Sequence, residues 1–440
     1  MEMMEKRSTI LREIESFDVI VAGGGPAGIG AAAAAALSGA KTLLLEGRSF
    51  FGGVAATALW MPMNRLKLNG KSRGGIHELL VKKLESYGEL ASREGKVTWT
   101  DGDGLHIHPD YLKRVVFELL EECGCFYRLY SPVVGAVVED GVLKKAVVHS
   151  KEGSLEFEAK VFIDCTGDGD LSAYAGAATE IGREGDGALM PVTLGFSMAN
   201  VDTKRLFAWY RSEEYGQEIG EILSRAEREG YRVSNWYSFD DTTVPGIVSV
   251  NNGGLKDIGT LDVLNPYDAT LAERVGIDIA IDFVEFARKY RLPGLEECYL
   301  DRTGAAVGVR ETRRVLGDYV LTMEDAMNGA EFEDIIARRY GAVDLAGLEE
   351  DKDYRMQMKS GYGYPYRALL PRGIEGLLTA GRCGSYTHLS LAAGKSMGNM
   401  MAIGQAAGIA AAIAVKENVT PRQVEAYKIQ NELKKFGVVL

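Results

Sequence analysis

The chain has 440 residues, 46% of them hydrophobic and 25% charged, the proportions of a globular protein rather than of a disordered or coiled-coil one. Fifty Lys and Arg against 62 Asp and Glu leave a formal charge of -12, a field that repels polyanions and makes nucleic acid a poor partner. The length argues for two domains or one domain with an inserted cap, and 53 glycines against 11 prolines, without a collagen period, mark backbone demands at particular places.

The first twenty residues scatter both charge signs without the apolar stretch of a secretion signal, so a cytoplasmic protein is expected. Residues 17–46 read as an apolar strand, a glycine turn, an alanine-rich helix, a Ser38-Gly39 stop and a second strand, which is a βαβ unit. Its turn carries Gly23, Gly25 and Gly28 as GxGxxG, with Pro26 and Ala27 between the last two. The first glycine permits the tight turn, the second lets the backbone approach a pyrophosphate, and the third lets helix and strand pack closely. The helix start then presents unpaired N–H groups to the phosphates. Glu46 closes the second strand at the spacing where a carboxylate accepts hydrogen bonds from ribose hydroxyls, with Gly47 and Arg48 following. This motif serves FAD or NAD(P). A second close-approach loop, Gly52-Gly53-Val54, argues for FAD, whose ribityl chain and ring need further backbone contacts.

Further along, a helical period opens at Pro109, a first-turn position where its missing N–H costs nothing. His106 and His108 precede it and read as a helix-entry segment; the lone Cys123/Cys125 pair reads as ordinary thiols, the odd total of five cysteines being no disulfide framework. Residues 133–138, 142–149 and 154–159 predict an antiparallel meander turning at Asp140-Gly141 and Glu152-Gly153. A separate buried strand over 160–165 is expected to end in Thr166-Gly167-Asp168. From about 190 to 360 the segments are mixed, more charged and rich in aromatics, including Trp209, Trp236, Tyr237 and Phe239.

In that region residues 308–317 look like a strand that puts Arg310 and Arg314 on one face and Glu311 and Arg313 on the other. Arginines so placed suit an anionic substrate, and the weighed alternative is an ion-paired strand. A short strand over 376–380 leads into Gly381-Arg382, which offers one more contact to a flavin. The loop after it holds Tyr386 and His388, candidates for proton transfer, with a backbone-bonded loop histidine as the alternative. Residues 397–415 have the length of a membrane span, but Asn399 and Gln405 favour a buried helix, with Gly404 and Gly408 on one face for close backbone approach.

Residues 23–46, the Gly52-Gly53 loop and the segments 162–177, 308–322 and 376–412 together resemble the FAD-dependent oxidoreductase family of the glutathione-reductase-like flavoprotein superfamily. The resemblance implies that Val133 touches the adenine and that Thr166, Gly167 and Asp168 sit beside the ADP moiety. It puts Gly381 and Arg382 at the ribityl and pyrophosphate position, where the superfamily often has Gly-Asp. Gly398, Asn399 and Met400 would then present a helix start to the flavin pyrimidine ring.

The expected fold is α/β: a discontinuous Rossmann-like FAD-binding domain (13–190 and 365–418), an inserted mixed α+β substrate domain (191–364) and a C-terminal helical extension (419–440). The expected function is FAD-dependent hydride transfer with a small, anionic organic substrate at flavin N5, with His388, Arg310, Arg313 and Tyr386 as catalytic candidates. A small-molecule partner is expected, with neither nucleic acid nor membrane insertion, in a monomer or homo-oligomer, and no metal. The alternatives are a flavin-bearing electron-transfer subunit, for which the chain lacks a cysteine cluster, and a biosynthetic protein of the thiazole-synthase or tRNA-modifying type.

Overall fold

A computed structural model describes residues 9–10, 16–59, 63–64, 67–68, 71–95, 104–254, 261–341, 343–345 and 361–440. The glycine turn joins strand Phe17–Ala22 to helix Pro26–Leu37, which ends at Ser38, and strand Thr42–Leu45 follows. Both strands are buried over nearly their whole length, as expected of parallel strands covered on two faces. In the parallel part of the sheet the strands run Phe126–Arg128, Thr42–Leu45, Phe17–Ala22, Gly153–Asp164, with Leu377–Thr379 on the far side of the last.

The predicted break at residue 160 is absent. Gly153–Asp164 is one continuous strand whose first half pairs antiparallel with Val142–Ser150 and whose second half pairs parallel with Phe17–Ala22. Exposure alternates over 153–160 and then gives way to buried Val161, Phe162, Ile163 and Asp164. The strand leaves a one-sided meander and enters a sheet covered on both faces, so the hydrophobic period changes while the backbone does not. The meander itself forms as predicted, and Asp140 and Gly141 both take positive φ (48° and 77°) in its turn.

Helix Met397–Glu417 is long and apolar enough to cross a membrane, but 89% of its most apolar window is buried inside the protein. It lies against helix Pro26–Leu37. A Cβ added at Gly404 would stand 1.9 Å from the Ala27 carbonyl oxygen, one at Gly408 would stand 2.1 Å from that of Ala31, and one at Gly30 would stand 2.5 Å from that of Met401. Three glycines are therefore required for the backbones to meet, which offsets the roughly 1 kcal/mol each costs inside a helix.

A second apolar core forms around an antiparallel sheet of order Tyr237–Asp241, Val248–Asn252, Phe196–Ala199, Tyr299–Thr303. Phe283 and Phe286 of helix Pro266–Lys289 fill it, together with Trp209, Tyr237 and Phe239. This body touches the dinucleotide-type sheet through the Gly52 loop: Ala305 N–H donates to the Thr57 carbonyl at 2.9 Å and Ser249 Oγ to that of Leu59 at 3.0 Å. Leu321, Ala326, Ile336 and Ala337 pack instead on the first core, as do Ile429 and Leu433 near the C-terminus. We propose an inserted domain with its boundaries near 191 and 310, shorter than 191–364.

Candidate active site

The three glycines of the first turn answer to different demands. Gly23 has φ +96° and a Cβ there would stand 2.4 Å from the Cys165 carbonyl oxygen; one at Gly28 would stand 1.7 Å from that of Gly23. Both are required by the protein's own packing. Gly25 has an ordinary extended backbone (φ -74°, ψ -176°), and a Cβ there would meet only Gly53 Cα, at 3.9 Å. Neither sterics nor dihedral calls for glycine at 25, and no described residue occupies the space beside it. Pro26 occupies the first helical position, and the Gly52 N–H donates to the Gly24 carbonyl at 2.9 Å, bringing Gly53 and Val54 against the same turn.

Glu46 faces that turn. Its carboxylate accepts from Gly24 N–H at 2.7 Å and Arg48 N–H at 2.8 Å. Gly47 and Arg48 are exposed beyond it, and the Glu46 and Arg48 carbonyls accept from Ser131 and Tyr130 N–H. Val133 begins the next strand two residues later, so the structure does bring it beside Glu46.

Buried Asp164 organises the next loop, accepting from the N–H and hydroxyl of both Thr166 and Ser172. Gly167 takes φ +82° with Arg382 Nη2 at 3.0 Å from its Cβ position. Asp168 receives Arg382 at 2.6 Å and Thr312 Oγ1 at 2.8 Å. Burial works to raise its pKa, but the Arg382 charge and these hydrogen bonds hold it below the ordinary carboxylate value. Arg382 is thus matched by a carboxylate of this chain. Arg313 also serves the loop, donating to the Asp168 carbonyl at 2.9 Å and to Asp170 at 2.8 Å. Gly381, at φ +103°, has Ala27 Cβ 2.9 Å from its Cβ position, so the second turn abuts the first helix.

At the start of the long helix the first N–H groups have no intrahelical acceptor, as in any helix. Asn399 is fully buried and clamps the loop: its Oδ1 accepts from Arg73 at 2.9 Å and its Nδ2 donates to the Tyr340 carbonyl at 2.6 Å. Its side chain therefore positions the helix start, with Gly398 and Met400 on either side. His77 Nε2 donates to the Gly398 carbonyl at 2.8 Å. Burial and then the Arg73 charge pull the His77 pKa down to about 3, so this imidazole is neutral.

The arginine segment departs from the expected strand. Only Arg313–Val315 forms a strand, pairing with Thr179–Ile181, while Gly308 and Gly317 make single bridges to other partners, and the predicted two-face division fails. Arg314 is buried against Glu311, supposed to lie on the opposite face. Arg310 donates to the Pro191 carbonyl at 2.7 Å and Thr193 Oγ1 at 3.2 Å, spending its guanidinium on the inserted body. Glu311, fully buried, also receives His388 Nδ1 at 2.7 Å and Met190 N–H at 3.2 Å. His388 opens a short helix, is 4% exposed, and its Nε2 is buried with no partner. Tyr386 is fully buried; its hydroxyl donates to the Gly381 carbonyl at 3.1 Å, and burial raises its pKa, which suits a brace for the turn better than an acid.

The sequence marks Glu311 only as an ion-pairing charge and gives Arg339, Arg73 and His77 no role in the site. His77 was legible in principle, since Ile76, Leu80, Val81 and Leu84 make the apolar stripe on which it falls. Arg339 and Glu311 gave only a weaker sign: a charge in an apolar or oppositely charged segment.

These turns, with the aromatic-rich second body against the segment after the Gly52 loop, define a Rossmann-type dinucleotide-binding enzyme of the flavoprotein kind. The chain belongs to the FAD dependent oxidoreductase family, whose family model matches residues 18–433. It is an FAD-dependent oxidoreductase, and the open Gly25 position fits that cofactor. Among curated proteins it is similar to digeranylgeranylglycerophospholipid reductase of Thermoplasma volcanium, 26% identical over 204 residues, which are 43% of this chain and 48% of that protein. The match thus spans about half of that relative's length. Among solved structures it is similar to a geranylgeranyl bacteriochlorophyll reductase-like protein of Thermoplasma acidophilum, with TM-score 0.52 at 16% identity over 96% of this chain and 84% of that one. A flavin-dependent brominase gives TM-score 0.50 at 12% identity, over 95% and 83%. At these identities both likenesses concern the fold.

Proposed function

We propose that the protein carries out two-electron redox chemistry on a small organic molecule bound where the inserted body meets the flavin turns. When bound, FAD supplies the chemistry by exchanging a hydride with the substrate at N5. The Gly23–Gly28 turn and the helix start at Pro26 receive the pyrophosphate, Glu46 the ribose and Val133 the adenine. Thr166, Gly167 and Asp168 line the ADP side, and Gly381 with the Gly52-Gly53-Val54 loop faces the ribityl chain. Gly398 and Asn399 would present N–H groups to the pyrimidine end, where a helix start stabilises negative charge, with Met400 beside them giving its own N–H to the Ser396 carbonyl at 3.1 Å. The observation that carries the cofactor placement is the Cβ-sized space at Gly25, which no described residue fills.

His388 moves the proton in this reading. Glu311 accepts from Nδ1–H, fixes the tautomer and leaves Nε2 as the atom that takes or gives a proton. Arg314 holds Glu311 in place, and Arg382 and Arg313 order the Asp168 loop. Rapid-mixing measurement of flavin bleaching, normalised to bound FAD, tests the proton role. His388→Ala should keep FAD and slow reduction by roughly a hundredfold to ten-thousandfold. Normal reduction rates across the accessible pH range would end it.

A further inference from the structure

Arg339 closes strand Ile335–Arg339 and is 0% exposed. No carboxylate lies within ion-pair distance of it among the described residues. Its Nη2 reaches the Leu391 carbonyl only at 3.4 Å, and Nε and Nη1 have no hydrogen-bond partner among the described residues. A guanidinium stays cationic at any ordinary pH, and a buried charge without a counter-charge is among the costliest groups a fold can hold. Aromatic rings lie beside it, Tyr386 at 4.4 Å and Tyr362 at 5.4 Å from ring centroid to Cζ. Rings meet a guanidinium over its face, whereas its N–H donors lie in its plane, so stacking leaves them unsatisfied. The tyrosine hydroxyls are spent elsewhere, on the Ala393 and Gly381 carbonyls. Gly394 lies alongside, and a Cβ there would stand 3.0 Å from Nε.

Arg339 also neighbours the groups already assigned to the flavin site. Asn399 binds the backbone of Tyr340, the next residue, and Leu391 shares a short helix with His388 and Ser390. His388 Nε2 and Ser390 Oγ are likewise buried without partners. Unmatched polar atoms on this helix and on the strand end beside it are what a binding site for a polar group looks like before the group arrives.

We propose that Arg339 receives the carboxylate of the substrate, in place of the Arg310 and Arg313 that the sequence singles out. The assignment rests on the flavin-site reading for its location and supplies the substrate class: a carboxylic acid whose reacting carbon lies within reach of His388. Guanidinium and carboxylate are planar and pair through two parallel hydrogen bonds, which would satisfy donors the protein leaves open.

The test titrates holoenzyme with benzoate and acetate, and separately with inorganic phosphate, in a buffer free of other oxyanions, reading the melting temperature. A saturable rise of several degrees with a carboxylate is expected. Arg339→Met should abolish that rise and melt no lower than wild type without anion, since it removes an uncompensated buried charge. Arg339→Lys should weaken the response at least tenfold, because a point charge cannot reproduce the planar fork. A wild-type melting temperature indifferent to every anion would overturn the proposal. So would an Arg339→Met protein that melts lower yet keeps the response, which would make the guanidinium a stacking element. Phosphate binding tighter than either carboxylate would overturn the carboxylate assignment. Because melting needs no turnover, failure of the redox reading would appear separately, as flavin that no donor reduces.

Discussion

The glycine turns and the buried charge cluster solve opposite problems within the same site. Around Gly23, Gly25 and Gly28 the chain removes side chains so that backbone can approach backbone or cofactor. Around Glu311, Arg314, His388 and Arg339 it buries charged and polar side chains and must then find partners for them. The first is a matter of local geometry, the second of what the fold brings from elsewhere. Glu311 and His388 are 77 residues apart in sequence, and Arg339 meets Leu391 across 52.

The largest expected effect comes from breaking the glycine half of this contrast. Gly28→Val and Gly404→Val put atoms where carbonyl oxygens already lie, at 1.7 and 1.9 Å, and should yield no folded protein. Gly25→Val should instead fold, with a circular dichroism spectrum and melting curve close to wild type, yet purify without flavin colour. A yellow Gly25→Val protein carrying one FAD per chain would remove the argument that this space is kept for the cofactor.

Glu311→Ala attacks the charge half. It strips buried Arg314 of its nearest carboxylate and leaves it Glu180 at 3.8 Å, so a loss of up to about 3–5 kcal/mol in stability is expected by chemical denaturation. Glu311→Gln keeps an acceptor for Arg314 but weakens the orientation of His388. It should slow flavin reduction while His388→Ala adds little further loss, as befits two residues acting as a unit. Additive losses would separate them.

A smaller effect is expected at Arg313, where the two halves meet. Its bonds to the Asp168 carbonyl and Asp170 order a cofactor loop, so Arg313→Met should cost about 1.5–3 kcal/mol and loosen FAD. The Michaelis constant for substrate, measured with FAD saturating, should hardly move. A raised Michaelis constant with unchanged FAD affinity would return Arg313 to the substrate pocket.

The test spread most thinly, as a slope along the pH scale and absent near neutrality, is the response of His77. The folded protein keeps it neutral down to about pH 3, while the unfolded chain takes up a proton below about 6.5. Acidification therefore favours the unfolded state, and stability should fall by up to about 1.4 kcal/mol per pH unit between those values from this group alone. His77→Gln can still donate to the Gly398 carbonyl but cannot titrate, so its stability curve should be flatter over that window. Parallel curves for the two proteins would show that His77 is not the group responsible.

What the sequence by itself determined is the part whose cause is local. The βαβ unit, the glycine turn, the meander and the buried 397–417 helix follow from period, turn chemistry and the absence of Cβ atoms, each felt within a few residues. The same locality misled at residue 160, where a change of period looked like a strand end although only the covering of the sheet had changed. The tertiary structure alone decided which arginine is matched and which is not. Arg310, Arg313, Arg314, Arg339 and Arg382 are chemically the same in the sequence. Only the fold gives Arg382 an aspartate, Arg314 a glutamate, Arg310 a carbonyl and a hydroxyl, and leaves Arg339 without a carboxylate among the described residues. A charge has no preferred sequence neighbour, so its role depends on the groups that burial places within a few ångströms of it.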